Sequence, residues 1–349
     1  MSAAAGAVGK GSGPIRLFGL VVSLVALLLV VRSVDVGSSA EVLRRASPLP
    51  IAFCMAIIAT QVILRSVRWG LLLPRSPDGR SIQTKRIVPA LLVGYLGNAV
   101  LPARLGEPIR AYLVARREEL DAAEAFGSVV LERVVDTATL AVLAFLAAEA
   151  VHAESWIVQA TGVAAVLGCV AMAILVVVGA GRMVAITRRL AAHVRFARPI
   201  GRLLDRLDGF ARGIDRPRRS NAILFAVVIS GICWVLDATI YWLVGQSVGA
   251  AVSPAAALLV GAVTVLGTAL PSAPGYVGTY DLAAAITAQA FGVAAAPALA
   301  LAVLAHAITV VPTAVAGVAA LIGMDVRLGR LAADAVRAER LIGEGATRG

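Results

Sequence analysis

Arg104, Glu107 and Arg110 stand three residues apart in GYLGNAVLPARLGEPIRAYLVARR, residues 94–117, just after an apolar run that stops at Pro102. A guanidinium fork matches the paired oxygens of a phosphate, so two such forks around one carboxylate could hold the phosphate of a lipid headgroup. Positions three apart are neighbours on a helix, and the three side chains share a face if helix begins after Pro102. The competing reading is an interfacial salt bridge that caps the turn.

Further charges stand inside apolar runs. Glu132 and Asp136 lie one turn apart, with Arg133 beside them, at the mouth of an apolar stretch. They either snorkel to an interface or pair across a cavity with Arg104 or Arg110. Asp237 falls near the middle of its run, where an ionised carboxylate costs several kcal/mol or more unless paired or hydrated, so it needs a partner or a cavity. His306 is the sole histidine at depth. It is either a core histidine bonded to a carbonyl or, with Asp237, part of a proton-coupling path. Tyr276 and Tyr280 flank Gly278 in PSAPGYVGTYD, residues 271–281, where their hydroxyls and the carboxyl of Asp281 are candidates to meet a headgroup.

These residues must be positioned by a membrane fold. Of 349 residues 59% are hydrophobic and 15% charged, and the mean hydropathy is +0.88. Runs of about 20 apolar residues suit helices that cross roughly 30 Å of hydrocarbon, and lipid excludes unpaired strands, so the fold class is all-α and polytopic. Six full spans are expected, at 15–34, 48–73, 125–148, 156–179, 221–246 and 297–323. The first has no small-residue cleavage site after Val31 and is kept as a span rather than a signal peptide. Two shorter runs, Ile87 to Leu101 and Pro254 to Leu270, are each followed by Gly and Pro and then by a second short helix. They predict two re-entrant helical hairpins entering from opposite faces, a pattern that points to a transport site.

Eleven Arg between Gly181 and Asn221, against Asp205, Asp208 and Asp215, place that loop in the cytoplasm, with Arg65 to Arg86 and both termini on the same side. Leu203, Leu207, Phe210 and Ile214 recur at helical spacing, which predicts amphipathic helices lying on the anionic inner leaflet. The domain organisation is then one transmembrane domain over 1–323, containing this Arg-rich loop at 181–220, and a cytoplasmic tail over 324–349. The net charge of +11 is explained by topology rather than by nucleic acid. Cys54, Cys169 and Cys233 sit in apolar runs as small hydrophobes. No Walker A loop, HExxH, nucleophile elbow or Cys/His ligand set occurs, so neither a cofactor nor a catalytic site is expected.

At the two hairpins the chain resembles the flippase-like membrane family that includes the transmembrane domain of lysylphosphatidylglycerol synthases and the UPF0104 proteins. The resemblance is carried by Asn98, Pro102, Arg104, Gly106, Glu107 and Arg110, by Glu132, Arg133 and Asp136, and by Pro271, Pro274, Gly275 and Gly278, and it spans about residues 15–323. It implies translocation of a phospholipid or lipid-linked molecule across the cytoplasmic membrane. The family pattern has Glu after the second glycine turn and Arg early in the last span, where this chain has Asp281 and His306. No soluble domain is expected after Gly323, so synthase activity is not carried over. The competing expectations are a membrane enzyme or enzyme subunit acting on a polyprenyl phosphate or phospholipid, and a membrane scaffold. Membrane lipids are the expected partners; the sequence leaves the lipid, the energy source and the oligomeric state open.

Overall fold

The computed structural model describes residues 24–25, 36–101, 104–191, 207–215, 221–269 and 272–324. Most of the expected first span, of the Arg-rich loop and of the tail, together with Pro102 and Pro271, lies outside the described residues. The chain forms α1 (Val36–Arg44), α2 (Pro48–Leu72), α3 (Thr84–Val100), α4 (Gly106–Arg117), α5 (Ala122–Ala150), α6 (Ser155–Val177), α7 (Ala180–Ala191), α8 (207–215), α9 (Ala222–Ser247), α10 (Pro254–Ala269), a 3-10 turn at Pro274–Tyr276, α11 (Thr279–Ala290) and α12 (Ala295–Gly323). No strand occurs among the described residues.

Among the described residues four helices, α2, α6, α9 and α12, are long and apolar enough to cross a membrane. α5 has 29 residues, about 43 Å at 1.5 Å per residue, but Glu132, Arg133 and Asp136 interrupt its apolar run. Glu132 and Asp136 are buried inside the protein, so the charges do not face outward. The outward faces are apolar: Val163, Val166, Leu167 and Val170 on α6 and Leu224, Phe225 and Val228 on α9 are exposed. Exposed apolar faces on helices of this length are what hydrocarbon solvates and water does not.

Local chemistry sets the element ends. Pro48 opens α2, where its missing N–H has no intrahelical acceptor to lose. Asp121 caps α5, its carboxylate accepting from the N–H groups of Ala123 and Glu124 at 2.7 and 3.1 Å. α2 packs along α9, α5 along α6 and α3 along α12.

Two helical hairpins fill the space between the long helices, α3/α4 and α10/α11. The first closes tightly, because Gly106 packs on Gly94 and Gly97. A Cβ on Gly106 would collide with the Gly94 carbonyl oxygen and come within 2.6 Å of Asn98 Oδ1. The hairpin tips meet: Ala99 O lies 3.3 Å from the Cβ position of Gly275, and Arg104 at the first tip reaches Thr268 and Tyr276 in the second.

Within α8, Ala211 and Ile214 are buried against Leu131, Val135 and Ala226, so this part of the Arg-rich loop turns an apolar side into the protein. Arg212 Nε donates to Glu124 Oε1 at 2.7 Å, and Asp215 accepts from the N–H groups of Ala180 and Gly181 at 2.8 Å each, so α8 is tied to the starts of α5 and α7.

Candidate functional site

A cavity of about 450 Å³ opens where the hairpin tips meet the long helices. Its wall is mostly apolar, with charge concentrated in Arg65, Asp237, Arg104, Glu107, Arg133 and Asp136. Asn98, Tyr276 and Tyr280 also line it, whereas Arg110, Glu132, Asp281 and His306 stand behind the wall.

Arg104, Glu107 and Arg110 do not share one helical face. α4 begins only at Gly106, and Arg104 lies in the turn before it with φ +53°, a left-handed conformation that costs a side chain of this kind free energy. That backbone aims its guanidinium at the second hairpin, where Nη2 donates to Thr268 Oγ1 at 2.9 Å and the group lies 5.5 Å from the centroid of the Tyr276 ring. Tyr276 is itself left-handed, φ +61°, so the residues that join the tips are both conformationally strained. Glu107 faces the cavity opposite Arg133 Nε at 3.9 Å. Arg110 turns away: it is buried, stacks over Trp69 at 4.5 Å, and donates to Glu132 Oε2 at 2.9 Å.

Asn98 has a structural task as well as a place in the wall. Its Oδ1 accepts the Gly106 N–H at 2.9 Å, satisfying one of the free donors at the start of α4.

Glu132 and Asp136 do not snorkel. The fully buried Arg68 donates to Glu132 Oε1 at 2.6 Å, to Ser230 Oγ at 2.7 Å and to both oxygens of Asp136. Arg133 adds contacts to Glu132 at 2.9 Å and Asp136 at 3.4 Å. Buried charges of this kind persist only when each is paired and hydrogen-bonded, so the network forms one unit.

The partner Asp237 requires is Arg65, whose Nη2 lies 2.5 Å from Asp237 Oδ2, and both side chains keep a partial view of the cavity. Arg65 and Arg68 are residues the sequence reading missed as site residues, having assigned Arg65 to Arg86 to a cytoplasmic basic stretch. Gln61, Arg65 and Arg68 lie at i, i+4 and i+7 of an apolar helix, a polar stripe on one face that was visible in the sequence.

The second hairpin is held from α12. Asp281 Oδ2 accepts the Gly278 N–H at 3.0 Å and so caps α11, while Oδ1 lies 2.9 Å from His306 Nδ1. His306 Nε2 is 2.7 Å from the Gly275 carbonyl oxygen, and its ring stacks on Tyr280 at 4.3 Å. Both imidazole nitrogens thus face oxygen acceptors, which requires a second proton shared between His306 and Asp281. Asp281 and His306 therefore touch each other. The Tyr280 hydroxyl is bonded to that of Tyr241 at 2.6 Å.

No group of three His, Cys, Asp or Glu among the described residues is placed to hold a metal ion. The arrangement offers a mostly apolar pocket with charged groups set into its wall, between two broken helical pairs and inside apolar helices.

Comparison with known proteins gives matches along most of the chain. The family described as the lysylphosphatidylglycerol synthase TM region matches residues 16–317. A glycosyltransferase, AglD, of Haloferax volcanii is 26% identical, the match covering 89% of this chain and 54% of that protein, so the chain spans about half the length of this relative. UPF0104 membrane proteins of Methanothermobacter thermautotrophicus and Methanocaldococcus jannaschii are 23% and 24% identical, over 75% and 87% of this chain and 81% and 93% of theirs.

Proposed function

We propose that this chain, which belongs to the lysylphosphatidylglycerol synthase TM region family, moves a phospholipid or lipid-linked molecule across the cytoplasmic membrane. The observation that carries the reading is the charged cavity at the meeting point of two short helical hairpins, enclosed by helices whose outer faces are apolar. Taking a charged headgroup through hydrocarbon costs on the order of several to ten or more kcal/mol. A polar groove offsets that cost while the acyl chains stay in lipid. The hairpins enter from opposite faces, and both termini, Arg80 and Arg206 lie on the cytoplasmic side with His152 and Gly249 outside. The test is reconstitution of the full chain in vesicles containing headgroup-labelled lipids, read by chemical quenching of the outer leaflet. Protein-dependent loss of the protected inner-leaflet signal is expected. Rates equal to protein-free vesicles for every lipid would end the proposal.

The name of the Haloferax volcanii relative favours one second reading, a membrane component of a transfer reaction on a lipid-linked sugar. In that case a membrane extract incubated with the lipid substrate would contain a chemically altered lipid, whereas a translocator changes only leaflet distribution.

A further inference from the structure

Among the described residues, the charges that line the cavity, taken together with Arg68, Arg110 and Glu132 behind its wall, do not balance, and the excess rests on one side chain. Arg65, Arg68, Arg110 and Arg133 each have a carboxylate oxygen within 3.9 Å, supplied by Asp237, Glu132, Asp136 and Glu107. These four cations and four anions cancel. Asp281 and His306 also sum to zero wherever their shared proton resides, since both ring nitrogens face oxygens. Arg104 remains. Among the described residues no carboxylate is in salt-bridge range of it; its partners are the Thr268 hydroxyl and the Tyr276 ring, and, as for one nitrogen each of Arg68, Arg110 and Arg133, its Nε–H is buried without an acceptor. A guanidinium held by a strained backbone at the edge of a low-dielectric cavity, with donors unused, is a cation awaiting an anion.

We infer that the cavity selects a lipid whose headgroup carries one net negative charge on a phosphodiester, with Arg104 as its phosphate contact. This deepens the translocation reading and rests on it. A phosphodiester presents two equivalent non-bridging oxygens that fit a guanidinium edge. Its single charge brings the total to zero. A zwitterionic phospholipid leaves the site at +1, a cationic aminoacylated phospholipid drives it to +2, and a dianionic phosphomonoester overshoots to −1. Uncompensated charge is penalised in such a site, so these headgroups are disfavoured. Phosphatidylglycerol-type lipids and polyprenyl-phosphate sugars share the favoured chemistry.

Binding to the purified full-length protein in detergent tests this, by calorimetry with short-chain phosphatidylglycerol, phosphatidylcholine, phosphatidic acid and lysylphosphatidylglycerol, a short-chain polyprenyl-phosphate mannose, and water-soluble glycerophosphoglycerol. Phosphatidylglycerol or the polyprenyl-phosphate mannose should bind at least about tenfold tighter than phosphatidylcholine or lysylphosphatidylglycerol. Arg104→Gln should bring the affinities across the charge series to within about twofold of one another, and Arg104→Lys should retain part of the preference. Affinities within twofold across the charge series in the wild-type protein would overturn the assignment, and that result needs no variant to fold. Glycerophosphoglycerol binding as tightly as the lipids would overturn a lipid ligand. The readout is binding, so selective binding without movement in vesicles would sink the translocation reading alone. Movement without charge preference would sink the Arg104 assignment alone.

Discussion

Asp237 and Arg65 should behave as one energetic unit, and a double-mutant cycle measures whether they do. Their charged atoms are 2.5 Å apart and the side chains are 17% and 19% exposed, so the pair is largely withdrawn from solvent. At an effective dielectric constant of about 20, unit charges at that distance attract by about 7 kcal/mol, most of it offset by the cost of desolvating both groups. Removing one partner leaves the other charge largely buried without its direct ion-pair partner. Breaking a fully buried pair costs about 3–5 kcal/mol, and partial access to the cavity lowers that to roughly 2–3 kcal/mol for Asp237→Asn or Arg65→Gln. For a protein of this size that is a fall in melting temperature of about 3–4 °C. The double variant should lose much less than the sum of the two, with a coupling energy of about 2 kcal/mol. Unfolding can be followed by a thiol-reactive fluorophore, because Cys54 and Cys233 are buried, in a Cys169→Ala background that removes the exposed thiol. Additive losses, with coupling below about 0.5 kcal/mol, would refute the pairing and reopen Asp237 as an unpaired group on the transport path.

Arg110→Lys should lower stability by about 1–2 kcal/mol through loss of the Glu132 contact and the stacking on Trp69, with lipid selectivity unchanged, as thermal unfolding and the binding panel together would report. Gly106→Ala should prevent closure of the α3/α4 hairpin, costing about 3 kcal/mol or more, and a variant that is expressed and melts like the wild type would contradict the packing. His306→Phe leaves Asp281 Oδ1 and the Gly275 carbonyl without their bonds and should cost about 2–4 kcal/mol while loosening the second hairpin, seen as faster hydrogen exchange at 275–281. Single cysteines at Arg206 and Gly249 should be protected from and open to an impermeant reagent in intact cells, respectively; the reverse pattern would invert the topology.

The sequence by itself determined the helical membrane class, because runs of apolar residues as long as the bilayer is thick have no other stable form. It also located both hairpins and showed that Asp237 needed a partner, because a helix shorter than the membrane and a carboxylate inside a span are costly wherever the rest of the chain lies. Pairings across the fold were decided only by tertiary structure. Arg65 meets Asp237 and Arg68 meets Glu132 and Asp136 over separations of 172, 64 and 68 residues, and local spacing carries no information about which helices become neighbours. The split between Arg104 and Arg110 has the same origin. Three-residue spacing puts them on one face only inside a continuous helix, and the left-handed turn at Arg104 sends one guanidinium to the second hairpin while helix packing buries the other against Trp69.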